Sequence, residues 1–574
     1  MASNPKDPMS QFFEVDIAGG KRSNFNWSYK NRLTADFGYV IPVGLWDVPS
    51  DVHFELDLLA SISSNPTLAP LLGKVDFRVE AYFVEKAAYV NELRNNDKLP
   101  LDRNVPFPVN RKTPLPANMF VARGSLLEFL QMFPAGYVNW YFSGSDSADF
   151  VPPLNGIPLL MYYDIYRNYY INPQDDSIPI RETGFLSSED ADDDPSPITD
   201  IYVKRADFDQ FITDARNNGD VFRAYSENFG IDLYQSIPIT SSVGRPVISE
   251  SYHLLGKHRG LLRRTLNNDF FTSFISNSNV ELMKSRANVL INNNVLNVEQ
   301  ISLANRNWRI STRSLLWGTD WKDYNKVHYG VTLMIPYGKP QFLGALKSEI
   351  TFNDVISQAQ TGVQDSSVNS NVNLGSRAGL AFGGLKNHSG RFVEFNTKDE
   401  GYVMVVASLV PEVDYYQGID PMYFKTNLQH SWMVEYNSVG MQDFHRIWMT
   451  ALLDPSIGDN PVGYSQWNIA EHKVPIWFEY MAKYNQLHGD FTADNVNRYW
   501  VFARPFNNLR SLFGEAIVAS DEQDFDEPYT STYVLPEMFN YVFANNIGTD
   551  NFQLQFNFKC KISSMLDKQV IAYL

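Results

Sequence analysis

The stretch FQLQFNFKCKIS (Phe552–Ser563) alternates without a break: Phe552, Leu554, Phe556, Phe558, Cys560 and Ile562 face one way, and Gln553, Gln555, Asn557, Lys559, Lys561 and Ser563 face the other. A period of two over twelve positions is the repeat of a β-strand with one dry and one polar face. Two stretches near the other end of the chain share it. Val52, Phe54, Leu56, Leu58, Ala60 and Ile62 oppose His53, Glu55, Asp57 and Ser61, and Val75, Phe77, Val79, Ala81 and Phe83 oppose Asp76, Arg78, Glu80 and Tyr82. A fourth strand, Tyr402 to Val410, is apolar throughout and is expected to lie in the middle of a sheet, buried on both faces. Half-apolar strands of this kind belong to a sandwich or an antiparallel barrel.

Between these ends the pattern changes. Residues 174–200 hold the run SSEDADDDPSP (Ser187–Pro197), which reads as a solvated loop; an oxygen-rich loop can bind Ca²⁺, but this one lacks the turn glycine and the distal bidentate Glu of an EF-hand. Residues 297–328 read as a helix, with Asn297 and Gln300 as a capping box and Val298, Ile301, Ala304, Trp308 and Leu315 at helical spacing. Residues 358–384, rich in Gln, Ser, Asn and Gly, read as a long loop. The expected division is a 1–34 N-terminal arm, strands and loops over 35–175, a surface-exposed insertion over 176–262, a helical and loop insertion over 263–394, and a second group of strands over 395–574.

The 574 residues are 44% hydrophobic and 14% aromatic, enough for a large core and for wide contact surfaces. A net charge of −17 excludes a protein that coats nucleic acid over its whole surface, because neutralising phosphate takes Lys and Arg. The single cysteine, Cys560, forms no intrachain disulfide, in keeping with a reducing cytoplasm. The opening MASNPKDPMSQFF lacks the apolar core of a signal peptide, and no window reaches the roughly 18 apolar residues of a membrane span.

Catalytic and metal motifs do not emerge. The nine histidines show no H-E-x-x-H spacing, and no phosphate loop or nucleophile elbow is found. His488-Gly489-Asp490 reads as a turn. The expectation is a non-enzymatic protein with no cofactor and no metal. The one suggestive cluster is in the arm, where Lys21, Arg22, Lys30 and Arg32 interleave with Phe25, Trp27 and Tyr29. Cations beside aromatic platforms hold single-stranded nucleic acid; the same aromatics also suit packing on a neighbouring subunit. Lys21, Arg22, Trp27, Lys30 and Arg32 are the candidate DNA contacts.

Blocks of sequence in shared order resemble the major capsid proteins of microviruses (Microviridae), the gokushovirus-like branch more than the enterobacterial phages. They include NRLTADFGYVIP (Asn31–Pro42), VPSDVHF (Val48–Phe54), PTLAP (Pro66–Pro70), YFV (Tyr82–Val84) and YDIYRNYY (Tyr163–Tyr170). Further on come LRRTLNNDFFTS (Leu262–Ser273), the helix from Val298, GYVM (Gly401–Met404), DYYQGI (Asp414–Ile419), and EY (Glu479–Tyr480) with HGDF (His488–Phe491). The chain departs from the family where its extra length falls, between Asp175 and Arg263 rather than after Ser273. The resemblance implies an eight-stranded antiparallel jelly roll with large inter-strand loops containing some helix. It further implies sixty copies in a T=1 icosahedral shell around circular single-stranded DNA, assembled in the host cytoplasm of a bacteriophage and localised to the virion. Implied partners are copies of itself, the single-stranded DNA genome, a small basic DNA-packaging protein, minor or pilot and internal scaffolding proteins, and a host surface receptor. The competing reading is a secreted carbohydrate-binding or glycoside-hydrolysing β-sandwich protein, which aromatics and carboxylates would also suit.

Overall fold

A computed structural model describes residues 22–90, 118–139, 154–172, 177–182, 199–236, 256–273, 275–276, 298–317, 321–331, 339–356, 377–386, 391–436, 440–449, 451, 470–492, 496–504, 506, 532–544 and 550–566. The chain is mainly β, with antiparallel sheets and few helices. The strands come in chain order as β1 (Ser23–Asn26), β2 (Tyr29–Ala35), β3 (Ile41–Val48), β4 (His53–Ser64), β5 (Lys74–Glu85), β6 (Asn118–Val121), β7 (Gly136–Asn139), β8 (Ser177–Glu182) and β9 (Thr199–Lys204). They continue as β10 (Gln235–Ser236), β11 (Ile275–Ser276), β12 (Gln341–Ile356), β13 (Arg377–Lys386), β14 (Val393–Asn396), β15 (Gly401–Pro411), β16 (Met441–His445), β17 (Ala470–Pro475) and β18 (Phe552–Ser564). Among the described residues the longer helices are α1 (Ile157–Tyr169), α2 (Arg205–Asn218), α3 (Val221–Phe229), α4 (Val298–Trp317) and α5 (Trp321–Tyr329). No helix among the described residues is long and apolar enough to cross a membrane.

Ten strands join in one sheet in the order β1–β18–β4–β13–β12–β5–β15–β3, with β2 also on β18 and β14 also on β4. The sheet turns a corner because two strands change partners midway. β12 pairs with β5 over Gln341–Thr351 and with β13 over Phe352–Ile356, while β13 leaves β12 at Ala381 and continues on β4. Phe77 of β5 then meets Phe556 of β18 across the interior, ring centroids 6.1 Å apart, although four strand-to-strand steps separate the two along the sheet. Trp46 of β3 likewise packs on Phe54 and Phe558.

The apolar faces read from the sequence are the buried ones. The inward side chains of β4 and β18 are at most a few per cent exposed, and β15 is buried at every position between β3 and β5. Gly38, between β2 and β3, has φ +72°, and a Cβ there would stand 2.5 Å from Val534 Cβ, so the turn admits only glycine.

Three expectations need correction. The polar face of β5 is not solvated: Tyr82 is buried and donates to Tyr170 (3.0 Å), and Arg264 forks onto Glu80 at 2.8 and 3.1 Å. A further layer built around α1 and the 261–272 segment covers that face. The helix expected over 297–328 is two helices, α4 and α5, and Asn297 of the expected cap lies outside the described residues. The loop expected over 358–384 ends early: Arg377–Lys386 is strand β13, where glycines at 379, 383 and 384 hid the alternation. Residues 358–376 and the acidic run at 187–197 lie outside the described residues.

Within 176–262, α2 and α3 turn Phe208, Phe211, Tyr225 and Phe229 onto Tyr163 of α1 and one another. Asp164 of α1, fully buried, is held by Arg167 (2.7 Å), Arg216 (3.1 Å) and the Tyr89 hydroxyl (3.1 Å). The described part of this insertion therefore adds Phe208, Phe211, Tyr225 and Phe229 to the same continuous core as the sheet.

Phe556→Asp is expected to abolish soluble, folded protein. It puts an unpaired carboxylate between the two halves of the sheet at a cost of several kcal/mol, comparable to the whole net stability of about 5–15 kcal/mol. Normal yield and an unchanged circular dichroism spectrum would overturn this placement of β18.

Candidate functional site

Pairing with β18 decides what the arm can offer. β1 matches Ser23–Asn26 to Ser564–Lys561, and β2 matches Tyr29–Ala35 to Phe558–Phe552. Side chains in this stretch therefore alternate between the interior and the outer face. Phe25, Trp27 and Tyr29 are half-buried against the core, and Tyr29 rests on Trp46 and Phe558. Lys30 and Arg32 point outward, exposed. The structure thus separates the cations from the aromatics that the sequence interleaves, and Trp27 is not an open platform for a base.

Of the five candidate residues, Lys30 and Arg32 share the outer face of β2, and Arg32 Nε donates to Gln555 Oε1 at 3.0 Å. Arg22 is engaged elsewhere, forking onto the Asp51 carboxylate at 2.8 and 2.7 Å. Lys21 lies outside the described residues. Register adds two residues that the sequence reading missed. Lys559 and Lys561 are exposed on the same outer face of β18, next to Asn557, which is paired with Lys30. Their place on the polar side of the Phe552–Ser563 alternation was the available signal; what was lacking was the knowledge that this strand lies beside the arm. The cations do not stand alone, since Lys559 is paired in register with Asp57 and Lys561 with Glu55 on β4.

At the other end of this face a cleft of about 700 Å³ opens over β2, β4 and β18. Arg32, Thr34, Ser63, Gln553 and Gln555 line one side, and Arg123, Glu128 and Gln131 the other. Leu33, Ile62, Phe129 and Leu554 supply an apolar floor, so the cleft combines apolar surface with amides, hydroxyls, the Glu128 carboxylate and two guanidiniums and suits an amphipathic, backbone-like ligand.

Two further clusters bear on chemistry. His53 and Glu55 on β4 and Glu394 on β14 bring ligand atoms within 4.8 Å of one another. Arg391 already bridges the two carboxylates, at 2.8 Å from Glu55 and 2.5 Å from Glu394, so a guanidinium supplies the positive charge there. The His-x-Glu spacing on one face of a strand was visible in the sequence, but Glu394 comes beside it only through the β14–β4 pairing. His488-Gly489-Asp490, read from the sequence as a turn, opens a short 3₁₀ helix, Gly489–Thr492, in which Gly489 has φ +70°.

Beneath the turn after β2 lies a buried polar network. Asp550 accepts from Thr34 and is contacted by Lys257 Nζ at 2.8 Å and His258 Nε2 at 3.0 Å. Asp36 accepts from Asn540 Nδ2 at 2.8 Å and from the Phe37 amide at 3.1 Å. A His–Asp pair is used in catalysis, but this one is buried, with the Tyr39 ring 4.2 Å from that of His258. Together with Thr34 it ties the end of β2 and the segment at His258 to the residues just before β18. Burial, reinforced by the Asp550 carboxylate, pushes the Asp36 carboxyl up to about 7 against the pull of Asn540 and Lys257. Burial also raises Asp550, but His258 and Lys257 outweigh it and hold that carboxyl below its usual range. Comparison with protein-family models finds no match, and comparison with curated proteins finds none either.

The two carboxyls act on stability at opposite ends of the pH scale. Asp36 keeps its proton in the folded state above its unfolded pKa near 4, so its contribution is complete below about pH 4 and is lost as pH rises through about 7. Asp550 contributes above about pH 4 and loses that contribution as pH falls through its lowered folded value. Between pH 5 and pH 8 the wild type is expected to lose on the order of 1–3 kcal/mol relative to Asp36→Asn in urea unfolding. A difference that stays flat with pH would remove this assignment.

Proposed function

We propose that this chain is a shell-forming structural protein, the major capsid protein of a microvirus-type virus, assembled as sixty copies into a T=1 icosahedral capsid around circular single-stranded DNA. One observation carries the reading, the strand order. Counting β1 with β2 as one interrupted strand, and β13 with β14 as another, it separates into (β1/β2)–β18–β4–(β13/β14) and β3–β15–β5–β12. Two facing sets of four, with the chain crossing between them, support an eight-stranded antiparallel jelly roll, an architecture used by viral capsid and lectin domains.

The long excursions between strands favour the shell over the lectin. They are of little use to a small sugar-binding sandwich, whereas a shell protein makes its neighbour contacts with such segments. Closure under symmetry turns modest contacts into a stable particle. Lys30, Arg32, Lys559 and Lys561 support a local role in holding phosphate, with a small basic partner neutralising the rest.

The purified chain is expected to sediment as uniform closed particles, visible by electron microscopy. A monomer that turns over glycosides would support the carbohydrate-active reading instead. Replacing Lys21, Arg22, Lys30 and Arg32 together by Gln is expected to lower the DNA content of particles while shells still form. Normal DNA content would remove the arm as a DNA contact, and loss of all shells would give it a packing role.

A further inference from the structure

After β15 the chain runs from Ile419 to Val434 through 3₁₀ turns that leave much of their apolar surface uncovered. Leu428 is 79% exposed and Tyr423 70%, and Met422, Phe424, Trp432 and Val434 are also open. Tyr480 and Met481 of the short helix Phe478–Met481 join the same surface. Lys425 binds the two segments together, with Nζ 3.6 Å over the Tyr480 ring and 2.9 Å from Glu479. Lys483 reaches Asp420 at 3.3 Å.

The nine large hydrophobic residues of these two segments, 37–79% exposed, leave on the order of 1,000 Å² of their surface open, backbone and polar tips included, against roughly 300–600 Å² for the largest apolar patch of an ordinary monomer. That open area matches the roughly 800 Å² that each partner contributes to a stable interface. Two features prepare it to be covered. Its charges, Lys425 with Glu479 and Lys483 with Asp420, are paired within the chain, so a neighbour need not desolvate a lone ion. A cleft of about 700 Å³ beside it sets Phe424, Ile447, Trp448 and Trp477 among polar groups such as Gln442 and His445, a socket for an amphipathic aromatic anchor such as Tyr or Trp, the residues that interface hot spots favour.

We infer that this face, Ile419–Val434 with Tyr480 and Met481, is an interface covered by a second copy of this chain, an inference that rests on the shell reading. Permanent assemblies bury faces this apolar, whereas transient partners use more polar ones.

Hydroxyl-radical footprinting of the full chain, dilute and assembled, tests it. Oxidation of Met422, Tyr423, Trp432, Tyr480 and Met481 is expected to fall about fivefold or more on assembly, while Met565, exposed at the end of β18, stays unchanged. Tyr423→Glu with Leu428→Glu is expected to leave a folded chain that sediments as monomer; if that variant misfolds, the wild-type footprint decides. Equal oxidation in both states, low oxidation already in the monomer, or normal assembly of the folded double variant overturns the inference. So does protection that arises only when vesicles or another protein are added to a monomeric chain. Closed shells with the patch still oxidised leave the shell reading standing and sink the interface. Open oligomers with the patch protected do the reverse, and a wild type monomeric at every concentration sinks both.

Discussion

The structure hangs on β18. Its thirteen residues lie between β4 on one side and β1 and β2 on the other, so strands from the two ends of the chain form one continuous ladder. Bringing those ends together closes a loop of nearly the whole chain, at an entropic cost of about 5 kcal/mol that grows only slowly with loop length. Burying Phe552, Leu554, Phe556, Phe558 and Ile562 on one face of β18 offsets it, since each large apolar side chain contributes roughly 1.5–3 kcal/mol. The same burial sets the register. A slip of one residue would turn Lys559 and Lys561 inward and Phe558 outward.

Around this ladder the fold adds polar contacts that specify more than they stabilise. Burial raises the Glu80 carboxyl, but the fork from Arg264 outweighs it and holds the carboxylate charged under the α1 layer. Asp164 is clamped between two arginines, and Asp36 and Asp550 tie the end of β2 and the turn after it to residues that precede β18. Buried ions recover little net energy, but removing one partner strands the other, so each network penalises alternative dockings of the insertions. Cys560 sits apart from this chemistry, its thiol pushed up to about 12 by burial.

What the fold leaves on the outside is unequal. One face carries cations next to a column of carboxylates, above a cleft of mixed polar and apolar lining. The segment after β15 carries aromatics and methionines over ion pairs already satisfied within the chain. A mixed polar face can remain in water indefinitely. An apolar face that open is the kind of surface that marks an interaction site.

The sequence by itself determined the strands whose side chains alternate or are apolar throughout: β4, β5, β15 and β18 were legible because burial of one or both faces writes a period directly into residue type. It also placed Lys30 and Arg32 in one exposed, basic stretch. It did not determine β13, whose glycines carry no pattern, or the break between α4 and α5. Nor did it show that Tyr82 would be covered by Tyr170, 88 residues away, or that Trp27 would turn inward while Lys559 and Lys561 came to lie beside Lys30. Those outcomes depend on which strand lies next to which. Pairing over hundreds of residues leaves no local signature, because the hydrogen bonds that decide it belong to the backbone and are the same for every residue.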